Sequence, residues 1–263
     1  MEMFDFAVNL ARAAGNLCLN GQKQLNSDRV HVKGTPNDLV TDVDRAVERF
    51  LVEQLSRRYP GCGFFGEEYG RANENAEYRW VIDPIDGICS FVRDLPYLSI
   101  SIALQRYGET VAGLVYAPRL GELFTAVRGE GAFLNGRRIR TGSAVRTTPL
   151  LATGFACLRA ELADNNLRYL NHILARVRDV RRGGSAALDM AYVACGRYDG
   201  FWELALNLYD VAAGILLVTE AGGTVCDMNG KSDFPASGIL CGDERTVKEL
   251  LADIAAVRSG ECR

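Results

Sequence analysis

Apolar residues recur at helical spacing over residues 3–20, at Phe4, Val8, Ala11 and Ala14 and then Leu17 and Cys18. The spacing returns over residues 42–58, where Val43, Val47, Phe50, Leu51 and Leu55 share a face. Thr41 stands where an N-cap belongs, and Asp42 and Asp44 complement the dipole of the helix that follows. Between these helices, His31 to Val40 is polar, holds Gly34 and Pro36, and reads as a loop. Phe64-Phe65-Gly66 and Trp80-Val81-Ile82 read as buried strands that end near acidic residues. From Leu98 the period changes to two. Leu98–Gln105, Thr110–Tyr116 and Glu122–Val127 form an antiparallel meander, separated by Tyr107-Gly108-Glu109 and Pro118-Arg119-Leu120-Gly121. Gly129 to Arg140 continues it, with Asn135-Gly136 as a hairpin turn.

After Pro149 the pattern alternates between strand and helix. Strands are predicted at Leu150–Thr153, Asp179–Arg182 and Phe201–Leu204, and helices at Leu158–Val177, Ser185–Cys195, Val211–Ala221 and Arg245–Val257. The change near residues 141–150 is one of architecture rather than a linker. Residues 1–145 form an α+β part and residues 146–263 an α/β part of one continuous body.

Composition narrows the function. A net charge of −3 argues against nucleic acid as a main partner, because phosphate-backbone binding needs a basic surface. No stretch is long and apolar enough to span a bilayer, so no membrane role is expected. The eight cysteines form no C-x-x-C pair, and no signal peptide is evident at the N-terminus. A reducing cytoplasm is the expected location. With only His31 and His172, a histidine-rich zinc site or a Ser–His relay has little to draw on, and neither a P-loop nor a dinucleotide fingerprint occurs.

The chemistry lies in the acids. In Asp83-Pro84-Ile85-Asp86-Gly87, two carboxylates three residues apart can converge at a strand end, with Pro84 rigid and Gly87 free to turn. Such oxygens suit a hard divalent cation, although Asp, Pro and Gly also build ordinary turns. Glu67 could be half of a solvated pair with Glu68, and Asp210 an N-cap. Glu203, in Phe201-Trp202-Glu203-Leu204, needs a partner if it is buried. In their order and surroundings, Lys33, Asp38, Asp44, Glu67, Asp83 to Gly87, Gly184-Ser185-Ala186, Glu203 and Asp210 resemble the inositol monophosphatase family of Mg²⁺-dependent, lithium-sensitive phosphatases. The blocks Asp83-Pro84-Ile85-Asp86-Gly87 and Asp210-Val211-Ala212-Ala213-Gly214 are specific as a pair, and the resemblance covers nearly the whole chain.

The resemblance implies an αβαβα layered sandwich, usually a homodimer, acting on a small phosphorylated polyol or sugar with two or three Mg²⁺ per site. Glu67, Asp83 and the carbonyl of Ile85 would hold one ion. Asp83, Asp86 and Asp210 would hold the second, with Glu67 near a weaker third. Gly87, Ile88 and Cys89 would offer backbone N–H groups to the phosphate. Gly184, Ala186, Glu203, Asp86 and Asp210 fall at the substrate, Asp44 beside the attacking water, and Lys33 on a loop over the site. One position departs from the family: Ile88 stands where the family has a Thr whose hydroxyl works with Asp44. Asp44 or Glu67 could take the proton without it, the chain could be a non-catalytic phosphate-binding or interaction protein, or Ile88 could be an introduced change. Fructose-1,6-bisphosphate, histidinol phosphate and adenosine 3′,5′-bisphosphate stand as alternative substrates.

Overall fold

Helices α1 (Glu2–Lys23) and α2 (Asp42–Arg58) occupy the spans that the apolar spacing predicts. Thr41 caps α2: its side chain accepts the N–H groups of Val43 and Asp44, and the Asp44 carboxylate accepts the N–H of Thr41 at 3.0 Å. The computed structural model describes residues 2–32, 39–142 and 148–260. Only the ends of the stretch between the helices are described, and there they correct the loop expectation. Val30–Val32 (β1) and Leu39–Thr41 (β2) pair as an antiparallel ribbon with Val30 opposite Thr41. Three-residue strands carry too few side chains to show a period. Lys33, Gly34, Pro36 and Asp38 lie outside the described residues.

An eight-stranded sheet follows, built from β3 (Gly63–Gly66), β4 (Gly70–Ala72), β5 (Tyr78–Asp86), β6 (Ser99–Arg106), β7 (Glu109–Ala117), β8 (Glu122–Val127), β9 (Gly131–Leu134) and β10 (Arg137–Ile139), in the order β10-β9-β8-β7-β6-β5-β3-β4. All its neighbours are antiparallel except β3 and β5. Strand β5 runs past Ile82 to Asp86, and its register against β6 shifts between Asp83 and Asp86. That irregularity matters because a regular strand would send residues three apart to opposite faces, and a bulge re-aims them. A short helix, α3 (Ile88–Val92), then leaves the sheet.

The second sheet has five strands, ordered β12-β11-β13-β15-β14, from β11 (Leu150–Thr153), β12 (Asp179–Arg181), β13 (Gly200–Glu203), β14 (Thr224–Cys226) and β15 (Ile239–Gly242). The predicted helix over 158–177 is instead two pieces, α4 (Ala156–Arg159) and α5 (Asn166–Leu174). The break is chemical: Asn165 caps α5 by accepting the N–H of Leu167, and Glu161 takes φ +53°. Helices α6 (Ala186–Ala194), α7 (Leu208–Glu220) and α8 (Glu244–Ser259) complete the chain.

Five layers result. Helices α1 and α2 cover one face of the large sheet over a core containing Trp80, Ile82, Ile100 and Leu51. Helices α6 and α7 fill the space between the sheets, and their Ala-rich surfaces are buried on both sides. Helices α5 and α8 cover the outer face of the small sheet over Tyr169, Trp202 and Ile254. This is the mixed αβαβα sandwich that the resemblance implies. No helix among the described residues is long and apolar enough to cross a membrane. The seven described cysteines are free, and Cys18, Cys157, Cys226 and Cys241 are buried as small core residues.

Candidate functional site

The seam where β3, β5, α2, α6, α7 and β13 meet opens as a cleft of about 470 Å³, joined to a narrower space of about 100 Å³. Asp44, Glu67, Asp83, Ile85, Asp86, Gly87, Ile88, Cys89, Gly184 and Asp210 line the narrow end. Ala186 and Glu203 line the wide end, with Glu67, Asp86, Gly184 and Asp210 shared between the two. Every site residue named from the sequence is thus brought into one cleft, except Lys33, which lies outside the described residues.

Each acid is held by local structure. Asp83 is buried at the β5 irregularity, and its Oδ1 accepts the N–H of Ile85 at 3.1 Å. Asp86 Oδ2 accepts the hydroxyl of Ser185 and the N–H of Ala187, both at 2.7 Å, at the start of α6. Asp210 corrects the N-cap reading. It sits three residues inside the cap Asn207 and accepts that residue's N–H at 2.6 Å. Glu203 is buried, accepts the N–H of Ala156 at 2.9 Å, and fits because Gly154 has no Cβ to strike it. Gly87 takes φ +105°, and a Cβ there would stand 2.9 Å from the carbonyl oxygen of Tyr97, so glycine is required on both counts.

Crowding of like charge out of water shows in the carboxyls. Burial first, and then Glu67, Asp86, Asp210 and Asp44, push Asp83 well above the usual carboxylate range. Burial and then the charge of Asp86 do the same to Asp210. Asp44 and Glu203 rise to about 7 and Asp86 to about 6, each mainly by burial. Oxygen donors of this kind, raised together and facing one cleft, are the chemistry that a hard cation relieves. Among the described residues, no three His, Cys, Asp or Glu side chains are gathered tightly enough to form a ready-made metal cage. The fit is therefore one of donor type and shared cleft rather than of completed coordination.

Three further residues, Glu48, Arg159 and Arg182, escape a reading of the sequence. Glu48 is buried on α2, and its carboxylate accepts the N–H groups of Glu68 at 2.8 Å and Tyr69 at 3.1 Å, pinning the turn that carries Glu67. Gly66 leaves it room, since a Cβ there would overlap Glu48 Oε1. The available signal is an acid one turn after Asp44 and next to Val47 on the apolar face. Ser185 caps α6 while donating to Asp86, and Arg159 and Arg182 line both ends of the cleft. Glu48→Ala should weaken Mn²⁺ binding by about 10- to 100-fold, as loss of a supporting contact does. It should also lower the melting temperature, because two backbone donors lose their acceptor. Calorimetric titration and thermal melts check both, and Glu48→Gln, which keeps an acceptor oxygen, should fall between.

A layered α/β protein with an acidic cleft at the seam of its two sheets is the class that fold and site define. The sequence matches the model of the inositol monophosphatase family over residues 1–259. It is 40% identical to "Inositol-1-monophosphatase" of Mesorhizobium japonicum, over 95% of this chain and 94% of that protein. It is 42% identical to "Nus factor SuhB" of Escherichia coli strain K12, over 96% of this chain and 95% of that one. The crystal structure of extragenic suppressor protein suhB from Bartonella henselae superposes with a TM-score of 0.88 at 38% identity, covering 97% of this chain and 98% of that one. The chain belongs to the inositol monophosphatase family.

Proposed function

We propose that the chain is a Mg²⁺-dependent phosphomonoesterase acting on a small phosphorylated polyol or sugar, with inositol monophosphate first among the candidates. One observation carries the reading: Asp83, Asp86, Asp210 and Glu67 share a cleft with the turn Gly87-Ile88-Cys89 and with Glu203. Glu67, Asp83 and the Ile85 carbonyl would hold one ion, and Asp83, Asp86 and Asp210 another, with Glu67 also near a weaker third. Bound divalent ions supply charge neutralisation and a more acidic water. The protein's own groups do the rest. The N–H groups at Gly87, Ile88 and Cys89 receive the phosphate oxygens. Asp44 holds one oxygen to Thr41, while its side chain lines the narrow space where the water's proton must go. Glu203 accepts hydroxyls of the alcohol, beside Gly184 and Ala186.

A second reading, a phosphate-binding or interaction protein on the same fold, draws on Ile88, which places no hydroxyl beside Asp44. Phosphate release from inositol monophosphate, fructose-1,6-bisphosphate, histidinol phosphate and adenosine 3′,5′-bisphosphate, with Mg²⁺ or with EDTA, separates the two. Release that needs Mg²⁺ is expected. No release from any ester, or the same release in EDTA, ends the phosphatase reading.

Glu203→Gln keeps the size of the side chain and removes its charge. It should lower kcat/KM on polyol phosphates about tenfold, the range of one charged hydrogen bond, and affect an aryl phosphate less. Equal losses on both would make Glu203 a structural residue.

A further inference from the structure

We propose that Ser99 and Tyr97 are positioning residues: together they clamp the start of α6, and through Ser185 they fix which oxygen of Asp86 the cleft receives. Neither of them lines the cleft. The proposal rests on the reading of Asp86 as a ligand to a divalent ion.

The first grip begins with the irregularity in β5. Asp83 pairs with Ser101, and a regular ladder would then bring Ile85 opposite Ser99. The one-residue slip brings Asp86 there instead. Residues opposite each other send their side chains to the same face, and the hydroxyl of Ser185 bridges these two. It donates to Asp86 Oδ2 at 2.7 Å and accepts the N–H of Leu188 at 3.2 Å. Its one proton is thereby committed, so Ser99 is the donor in the 3.0 Å bond between the two serines. Both serines are fully buried, and a donor behind a donor strengthens the bond in front of it. With the Ala187 N–H also at 2.7 Å, Oδ2 is occupied twice, which leaves Oδ1 the freer oxygen for the cleft.

The second grip is Tyr97, two residues before Ser99. Its hydroxyl donates to Oδ1 of the buried Asp189 at 2.6 Å. Its ring covers Gly183, where a Cβ would overlap it, and its carbonyl oxygen abuts Gly87. One residue therefore touches the turn proposed to receive phosphate, the approach to α6 and α6 itself. Ser185 and Asp189 stand one turn apart, on one side of α6. Held at both points, the helix resists rotating or sliding against β6, and the Ala187 N–H stays on Asp86. A ligating carboxylate depends on such partners for its orientation.

Calorimetric Mn²⁺ titration of a double-mutant cycle tests the clamp. Glycine caps a helix nearly as well as serine, so Ser185→Gly removes the hydroxyl and keeps the start of α6. It should weaken Mn²⁺ binding by about 10- to 100-fold. Ser99→Ala should weaken it by about three- to tenfold, less because one bond intervenes, and should add almost nothing in the Ser185→Gly background. The same factor in both backgrounds, as a serine that only supports the fold would give, overturns the relay. So does no effect in either. Tyr97→Phe keeps the ring over Gly183 and loses only the hydroxyl. It should cost about threefold or more in both backgrounds, because its route runs through Asp189. Unchanged affinity makes Tyr97 a packing residue and overturns its half of the clamp. Asp86→Asn separates the clamp from the parent reading. Binding weakened by Asp86→Asn but indifferent to Ser99 and Tyr97 removes the clamp and keeps Asp86 as a ligand. Binding indifferent to Asp86→Asn removes both.

Discussion

Asp83→Asn should weaken Mn²⁺ or Mg²⁺ binding by about 100-fold or more and, in the same variant, raise the melting temperature of the metal-free protein. The two effects share one cause. Asp83 is buried in the cleft and faced by Glu67, Asp86, Asp210 and Asp44. A cation gains from that crowding, and loss of a direct ligand costs more than the 10- to 100-fold of a supporting contact, hence roughly 100-fold or more. Without the cation the crowding is a burden on the fold, and an amide relieves it. The pH dependence follows the same sign. Asp44, Glu48 and Glu203 titrate near 7 in the folded chain and Asp86 near 6, above their ordinary values of 3.8 for Asp and 4.5 for Glu. The folded state therefore binds more protons than the unfolded state between about pH 4 and 7, and stability declines as pH rises through that window. A tenfold difference in proton affinity between the folded and unfolded chain is worth about 1.4 kcal/mol. These groups together therefore lower the metal-free melting temperature between pH 5 and 8. Saturating Mn²⁺ should remove most of the decline. Calorimetric titration with melts in EDTA tests the whole statement. A metal-free protein whose melting temperature is flat across this range would show that these carboxyls are not under strain.

Ile88→Thr should raise kcat by about tenfold or more, the low end of what a positioned proton acceptor supplies, and leave metal affinity nearly unchanged. Ile88 and Asp44 line the same narrow space, and Ile88 is half-buried at the start of α3. Its side chain can neither give nor take a hydrogen bond. A threonine there adds a hydroxyl that can link Asp44 to the attacking water, an interaction that strengthens as the proton leaves. The backbone N–H of residue 88 and the acids of β5 are unaffected, which is why binding should hold. Asp44→Asn in the same chain should cancel most of the gain, because groups acting as one unit are not additive. Steady-state rates on inositol monophosphate, beside Mn²⁺ titrations, provide the check. A rate that stays at background while metal binds would favour the binding-only role.

The parts of the fold legible in the sequence are those whose cause is local. Thr41 with Asp44, the apolar face of α2, the meander and the Asn135-Gly136 turn all announce themselves within a few residues. The split of α4 from α5 depends on Asn165 capping against a helical apolar pattern that continues across it. The strands β14 and β15 are three and four residues long, too short to show a period. The acids of the cleft are readable because two specific blocks frame them. Glu48 is not, since its partners Glu68 and Tyr69 lie about 20 residues away and only the folded turn brings them to it. Arg159 and Arg182 look like ordinary surface charge until the cleft forms between them.

The middle layer also sets a timetable for synthesis. Helices α6 and α7 are what cover the inner face of the large sheet, yet that sheet ends at Ile139 and α7 only at Glu220. At roughly 5–20 residues per second, a ribosome needs about 4–16 s to make the difference. For that interval Val81, Ala103, Val115 and Phe124 wait beside a nascent chain with no partner for their face. The growing polypeptide is at its stickiest then, and a chaperone that shields a flat apolar sheet would have its moment before the last third of the chain emerges.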